Sequence, residues 1–305
     1  MKKTLLVALV LMATAAVAQE QAPPAAPLEA PKVTTDMTLQ NETPSYSDLY
    51  CSGFITNESI THTNKIVGGT YSPEQTQFTR GGTIFVNGGG LQEGVQYSVL
   101  RELRDPNHYE PFTGQRAAIN AAGQPYDELG RIRVVSIRGN VAVAQVEFSC
   151  QNMTLGDLVV PFKEHEPVTF RKTSVLPRFP AGPGHLSARI IMAREFDTQL
   201  RPGHKVYLSA GSNRGVIVGH YFRVIRGYDP AKLEAVDNLS FKAPIGEDTQ
   251  KYPGTITPET AKTLPVRDIG EMIVLSVTPS SATAMVVNAV EDIHVGDWVE
   301  MEDEQ

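Results

Sequence analysis

The sequence predicts an all-β protein made of two tandem copies of one small module, preceded by an export signal and a linker. Three observations carry this: an internal repeat, period-2 alternation of apolar residues inside the repeated blocks, and turn residues between them. The repeat is clearest where LGRIRVVSIRGNVAVAQV (129–146) aligns without a gap with IGEMIVLSVTPSSATAMV (269–286), at an offset of 140. It continues through MTLGDLV (153–159) against IHVGDWV (293–299). Nine positions are identical over 129–160, namely Gly130, Val134, Ser136, Ala142, Ala144, Val146, Gly156, Asp157 and Val159. Chance pairing at ordinary residue frequencies gives about two. Upstream, GVQYSVLR (94–101) answers GHYFRVIR (219–226) at an offset of 125, and IFV (84–86) answers VYL (206–208). The offset grows from 125 to 140, so the second copy carries 15 extra residues between its conserved halves. Those halves bracket two variable loops, 102–128 and 227–268.

Each block alternates as a half-buried strand does. RIRVVSIR (131–138) sets apolar against charged residues, and Ala142, Ala144 and Val146 share one face. Val134, Ala144 and Val146 are expected in one core, and Val274, Ala284 and Val286 in the other. Arg138-Gly139-Asn140 and Pro279-Ser280-Ser281 read as hairpin turns. Gly130, Gly270 and the pairs Gly156-Asp157 and Gly296-Asp297 read as structural turn residues: glycine supplies a positive φ and aspartate bonds its own backbone. No segment carries a helical stripe ten residues long, although 258–263 suits one helical turn. About five or six short strands in about 110 residues fit a small barrel or a sandwich. The modules are bounded at 46–163 and 185–305. The connector 164–184 runs into PRFPAGPGH (177–185), whose three prolines and two glycines disfavour packed structure.

Residues 1–18 have the layout of a signal peptide: Lys2 and Lys3, an apolar run from Leu5 to Val17, and Ala16-Val17-Ala18 as cleavage site. The run is shorter than the roughly 20 residues of a spanning helix, and no later stretch is apolar enough to span. Gln19, rather than cysteine, follows the cut, so lipid attachment there is not expected. Residues 19–45, opening QEQAPPAAPLEAPK, form a Pro/Ala-rich linker, with order beginning near Tyr46. The chain carries 27 Lys+Arg against 34 Asp+Glu, a net of −7, and loss of Lys2 and Lys3 with the signal makes it −9. That balance argues against nucleic acid or anionic lipid as partner, since both require a basic footprint. In an oxidising compartment the two cysteines, Cys51 and Cys150, are expected to form a disulfide. Cys51 reads as part of the first strand of copy one and Cys150 as the end of VAQVEFSC. The second copy has Ala188 and Val290 near the equivalent places, so the bridge is private to copy one.

The string VYLSAGSNRGVIVGHYFRVIR, followed by IGEMIVLSV and IHVGDWVE, resembles the C-terminal module of the flagellar assembly protein T family. Related modules occur in bacterial envelope proteins that also carry LysM domains. The resemblance covers about 95 residues of the second copy and, more faintly, the first. It implies an SH3-like β-barrel without enzymatic activity. The rest of the flagellar protein's architecture and any LysM repeat are missing from this sequence.

Candidate chemistry is sparse. Asp157 and Asp297 as matched acid/base groups or metal ligands compete with the simpler turn reading, which their separate modules favour. None of the seven histidines pairs at H-x-x-x-H spacing. Lys163-Glu164-His165-Glu166 offers weak metal ligation or, more simply, a solvated connection, because a site needs three or four convergent ligands. Gly88-Gly89-Gly90 lacks the Lys-Ser/Thr and helix of a phosphate loop and reads as a hairpin. No G-x-S-x-G or S-x-x-K is present. Recognition surfaces would lie on the loops, with Asp105, His108, Tyr109, Tyr126 and Asp127 on one and Tyr228, Asp229, Phe241, Lys242 and Tyr252 on the other. The sequence therefore predicts a non-catalytic, periplasmic or secreted envelope protein with no metal or cofactor. Its role is that of a structural or protein-interaction module whose partner is an envelope protein or cell-wall component. The alternatives are a peptidoglycan-binding accessory protein, or an envelope enzyme whose loops gather His108, Asp105, Asp127, His220 and Asp229 into one cleft.

Overall fold

The computed structural model describes residues 37–38, 42–105, 109–172, 175–179, 185–227 and 257–302. The signal segment, most of the linker, residues 180–184 and the second variable loop from 228 to 256 lie outside the described residues.

The first half contains β1 (Met37–Thr38), α1 (Tyr46–Tyr50), β2 (Phe54–Thr56), β3 (Lys65–Gly69), β4 (Gln77–Phe78), β5 (Thr83–Asn87) and β6 (Gln96–Glu102). It continues with α2 (Gln115–Ala122), β7 (Gln124–Arg138), β8 (Val141–Ser149), β9 (Met153–Thr154) and β10 (Leu158–Pro161). The second half contains β11 (Val175–Leu176), β12 (Ser187–Ala193), β13 (Gln199–Leu200), β14 (Lys205–Leu208) and β15 (Tyr221–Arg226). After these come α3 (Pro258–Thr263), β16 (Arg267–Val277), β17 (Ala282–Ala289), β18 (Ile293–His294) and β19 (Trp298–Met301).

These strands build two closed six-stranded barrels. The first runs β3–β5–β8–β7–β6–β10 and back to β3, with β2 added outside β7. The second runs β12–β14–β17–β16–β15–β19 and back to β12. Each strand of one barrel has a counterpart in the same cyclic place in the other, and the short pair β4–β9 answers β13–β18. Register agrees as well. Gly130 pairs with Val99 and Ser149, while Gly270 pairs with Val224 and Ala289, at the sequence offsets of 125 and 140. Both glycines lie inside strands β7 and β16 and not in the turns expected from the sequence. The reason for glycine here is crowding: a Cβ would sit 2.2 Å from the Phe148 carbonyl at Gly130 and 2.7 Å from the Asn288 carbonyl at Gly270. The identical Ser136 and Ser276 follow matching register shifts against β8 and β17, bulges of the kind that bend a sheet into a barrel.

Val134, Ala144 and Val146 lie in the first core with Ile66, Val99 and Ile132. Val274, Ala284 and Val286 lie in the second with Ile190, Phe222 and Met272. That second core also takes in Ile55, Phe112 and Ala122, which come from the first half of the chain.

Several expectations need correction. Order begins before Tyr46: β1 pairs with β11, and the Glu42 amide donates to the Val287 carbonyl. The loop 102–128 holds α2 and the start of the 15-residue β7. Only Gln115 and Ala122 of α2 are buried, which is why no stripe was legible. Cys51 caps the C-terminus of α1 rather than lying in a strand. It is bonded to Cys150, with Cα atoms 5.6 Å apart. The matching bonds of Ile66 to Gly156 and Ile190 to Gly296 place Ala188 opposite Asn64, so Cys51 precedes the repeated barrel and has no counterpart at Ala188. No helix among the described residues is long and apolar enough to cross a membrane.

Candidate functional site

The Gly-Asp corners are built alike. Gly156 and Gly296 have φ of +89° and +112°, the left-handed region that glycine enters freely. The following aspartate turns back on its own corner: Asp157 Oδ2 accepts from the Thr154 amide at 2.6 Å, and Asp297 Oδ2 from the His294 amide at 2.8 Å. Each also holds an arginine from the strand crossing it. Arg101 donates to both Asp157 oxygens at 2.8 and 2.7 Å, and Arg226 donates to Asp297 at 2.7 Å. The same guanidinium nitrogens reach the carbonyls of Asn152 and Asp292. The Asp157 hydrogen bond raises the Arg101 pKa. Burial pushes the Asp297 carboxyl up, against the pull of Arg226. Asp157 and Asp297 thus lie in separate barrels, each bonded into a structural corner.

A second buried network joins the barrels. The Tyr207 hydroxyl donates to the Ser52 carbonyl at 3.1 Å, Thr283 to Gly53 at 2.9 Å and Thr278 to Ile55 at 2.6 Å. Gln115 of α2 donates to the Ile191 carbonyl at 3.0 Å. Asp127, buried, accepts from Arg194 at 3.0 Å. Burial pushes its carboxyl upward despite that partner. The fit is close at Gly53, φ +66°, where a Cβ would meet the Tyr126 carbonyl at 2.6 Å and the Tyr207 hydroxyl at 2.7 Å. The variable loop of copy one is therefore largely a docking element, and Asp127 and Tyr126 are interior residues of it.

Beside this junction opens a cleft of about 570 Å³. Barrel one supplies Ser98, Leu100, Glu128, Val160 and Pro161, barrel two supplies Val218 and residues 275–279, and the remaining wall is Phe54 with 58–61 and 163–166. Its one deeply buried charged group is Glu128, 5% exposed. Glu128 accepts from Ser98 Oγ at 3.4 Å and contacts His165 Nε2 at 3.1 Å. The carboxylate lies between hydroxyl and imidazole, so the imidazole bonds the acid and not the hydroxyl. A nucleophile–base pair requires the reverse order. What the arrangement offers is a fixed anionic acceptor beneath apolar walls. Glu128 precedes Leu129 by one residue and escaped the sequence reading, although the offset of 140 pairs it with a second buried acid, Asp268.

The other candidates do not converge. Tyr109 is 87% exposed, and His108 and the second-loop residues Tyr228, Asp229, Phe241, Lys242 and Tyr252 lie outside the described residues. Asp105 lines a small pocket with Phe196 and Val295, away from the cleft. His220 accepts from the Ile217 amide and His294 contacts Arg226. Gly88–Gly90 join β5 to β6, and the Gly89 amide donates to Asn64 Oδ1 at 3.0 Å. Among the described residues no three His, Cys, Asp or Glu side chains are grouped to hold a metal. No protein-family model matches the chain, and no curated protein matches it.

Proposed function

We propose that the protein is an exported, non-catalytic module of the cell envelope that binds a partner in the cleft between its two barrels. The observation that carries this reading is the cleft itself: its floor comes from one barrel, its wall from the other, and the buried junction beside it fixes their spacing. Its volume falls in the range of roughly 300–1,000 Å³ that ligand sites occupy. Other buried charges, at the Gly-Asp corners and at Asp127, are bonded within the fold. The resemblance to the SH3-like module and the signal-peptide layout support the same class and compartment. A photo-crosslinking residue at Ser59, exposed on the cleft lining, tests the reading in native envelopes. Discrete products are expected from Ser59 and not from exposed Val67 on β3. Equal patterns from both positions would rule the cleft out.

A second reading, cell-wall glycan binding, has one observation in its favour. Tyr46, half exposed, packs on Tyr50 with centroids 4.5 Å apart and edge-on to Phe148 at 5.6 Å, leaving an aromatic face of the kind that ligand rings stack on. Co-sedimentation with purified peptidoglycan that is lost in Tyr46→Ala supports it, and no co-sedimentation removes it.

A further inference from the structure

The cleft has a charge and a shape that narrow its ligand. Its titratable lining is Glu58, Glu128, Glu164 and Glu166 against Lys163 and His165, an excess of acid. Three of these acids are exposed, whereas Glu128 is buried and held in place by Ser98 and His165. A fixed buried carboxylate at the bottom of an acidic cleft favours a cation, and a bonded, immobile acceptor loses little freedom when the cation arrives. Around it stand Phe54, Ile60, Val160 and Val277, which suit apolar neighbours of that cation.

The backbone on one wall is the third feature. β15 pairs with β16 only as far as Tyr221↔Ile273, and the Gly219 amide closes on the Val274 carbonyl. Beyond that point β16 continues through residues 275–277, where among the described residues Ser276 and Val277 pair with β17 alone, and these residues line the cleft. A strand edge bordering a groove is where an extended peptide adds itself, with alternate side chains pointing into the groove and away from it. Ser276 adds a hydroxyl oxygen that is shielded from solvent and has no hydrogen-bond partner among the described residues.

We propose that the cleft binds an extended peptide segment in which a lysine or arginine, flanked by apolar residues, reaches Glu128 while its backbone runs along the free edge of β16. This rests on the reading of the cleft as the binding site and names the partner's chemistry. A free polyamine would satisfy the acids but not the apolar walls or the strand edge.

The full, oxidised chain is panned against a phage library of random heptapeptides, and enriched sequences are resynthesised for fluorescence polarisation. Enrichment of basic peptides is expected, with affinity falling as salt rises. Glu164→Lys/Glu166→Lys, which alters two exposed residues, and Glu128→Gln, which keeps the shape, should each weaken binding on the order of tenfold. Ser59→Trp should abolish it by obstruction, with an unchanged melting curve confirming the fold. Enriched acidic or uncharged peptides that Ser59→Trp still abolishes overturn the ligand class and leave the cleft as the site. Basic peptides indifferent to Ser59→Trp, or no enrichment together with no spermidine binding, overturn both. Spermidine binding at the cleft without any peptide binding overturns the peptide and keeps the charge argument.

Discussion

The two barrels share strand order, register, bulge and corner, yet the acid one position before the repeated aliphatic has two different surroundings. In barrel one Glu128 is bonded to Ser98 and His165 and lines an open cleft. In barrel two Asp268 is 3% exposed, accepts among the described residues only a long bond of 3.3 Å from the Gly270 amide, and faces Glu271 and Glu302 as well as Arg223. Around it the outer face is covered: Leu49, Val168 and Phe170 pack on Tyr221, Ile273 and Leu275, and Arg171 bridges Glu271 and Glu302. The repeat thus encodes a barrel, and what each barrel does is decided by segments outside the repeat. The connector and the N-terminal stretch cover barrel two, whereas at the same outer position of barrel one the connector's His165 bonds Glu128 at the lining of the cleft.

Charges placed in the two cores test how independent the barrels are, and have the largest expected effect. An unpaired buried charge costs several kcal/mol, more than about 3 in either core. Val146→Asp should remove hydrogen-exchange protection from β3 to β10. Val286→Asp should remove it from β12 to β19 and also from β2 and α2, because Ile55 and Ala122 belong to the second core. Protection of β2 and α2 surviving Val286→Asp means that the shared core is only a surface contact.

The disulfide is the next asymmetry. Cys51 and Cys150 are 99 residues apart, and closing a loop of that size stabilises by up to about 4–5 kcal/mol in the chain-entropy model. Barrel two has Val290 at the place of Cys150. Reductant, or Cys51→Ser/Cys150→Ser, should therefore lower the denaturant midpoint of the parent protein, while barrel two in isolation of that bond keeps its native exchange pattern. An unchanged midpoint means the bond is dispensable, and two free thiols by mass spectrometry of the exported protein mean it does not form there.

Much of the fold was legible because a repeat samples the same constraint twice. Gly130 and Gly270, or Ala144 and Ala284, agree because each meets the same neighbours in its own barrel. The Arg101 and Arg226 partners of the corner aspartates were present in the aligned strings, but sequence separation hides a contact between strands 56 and 71 residues apart. The cleft was not legible, since Ser98, Glu128 and His165 recur in no motif and are brought together by barrel closure and by the path of the connector. Glu128 and Asp268 are unlike residues at one offset, so identity matching passes over them even though both are acids.

The smallest effect expected is on pH dependence, and it addresses that acid pair directly. Burial pushes the Asp268 carboxyl up from 3.8 to about 8, opposed by the Gly270 amide. Between these values the folded protein holds a proton that the unfolded chain has released, so stability falls as pH rises. The slope is about 1.4 kcal/mol per pH unit, and it vanishes below the lower value, where both states are protonated, and above the upper one, where both are ionised. Asp268→Asn removes the titration. Its stability relative to the parent should therefore grow by about 3 kcal/mol between pH 5 and pH 7, read from urea unfolding at each pH. Glu128→Gln is the comparison in barrel one: it weakens the contacts with Ser98 and His165 and should destabilise by about 1 kcal/mol instead of stabilising. A difference between Asp268→Asn and the parent that stays flat from pH 5 to pH 7 would show that Asp268 ionises in the fold as it does in water. The contrast between an acid bonded to a hydroxyl and an imidazole and one held by a single long amide bond would then fail at its barrel-two end.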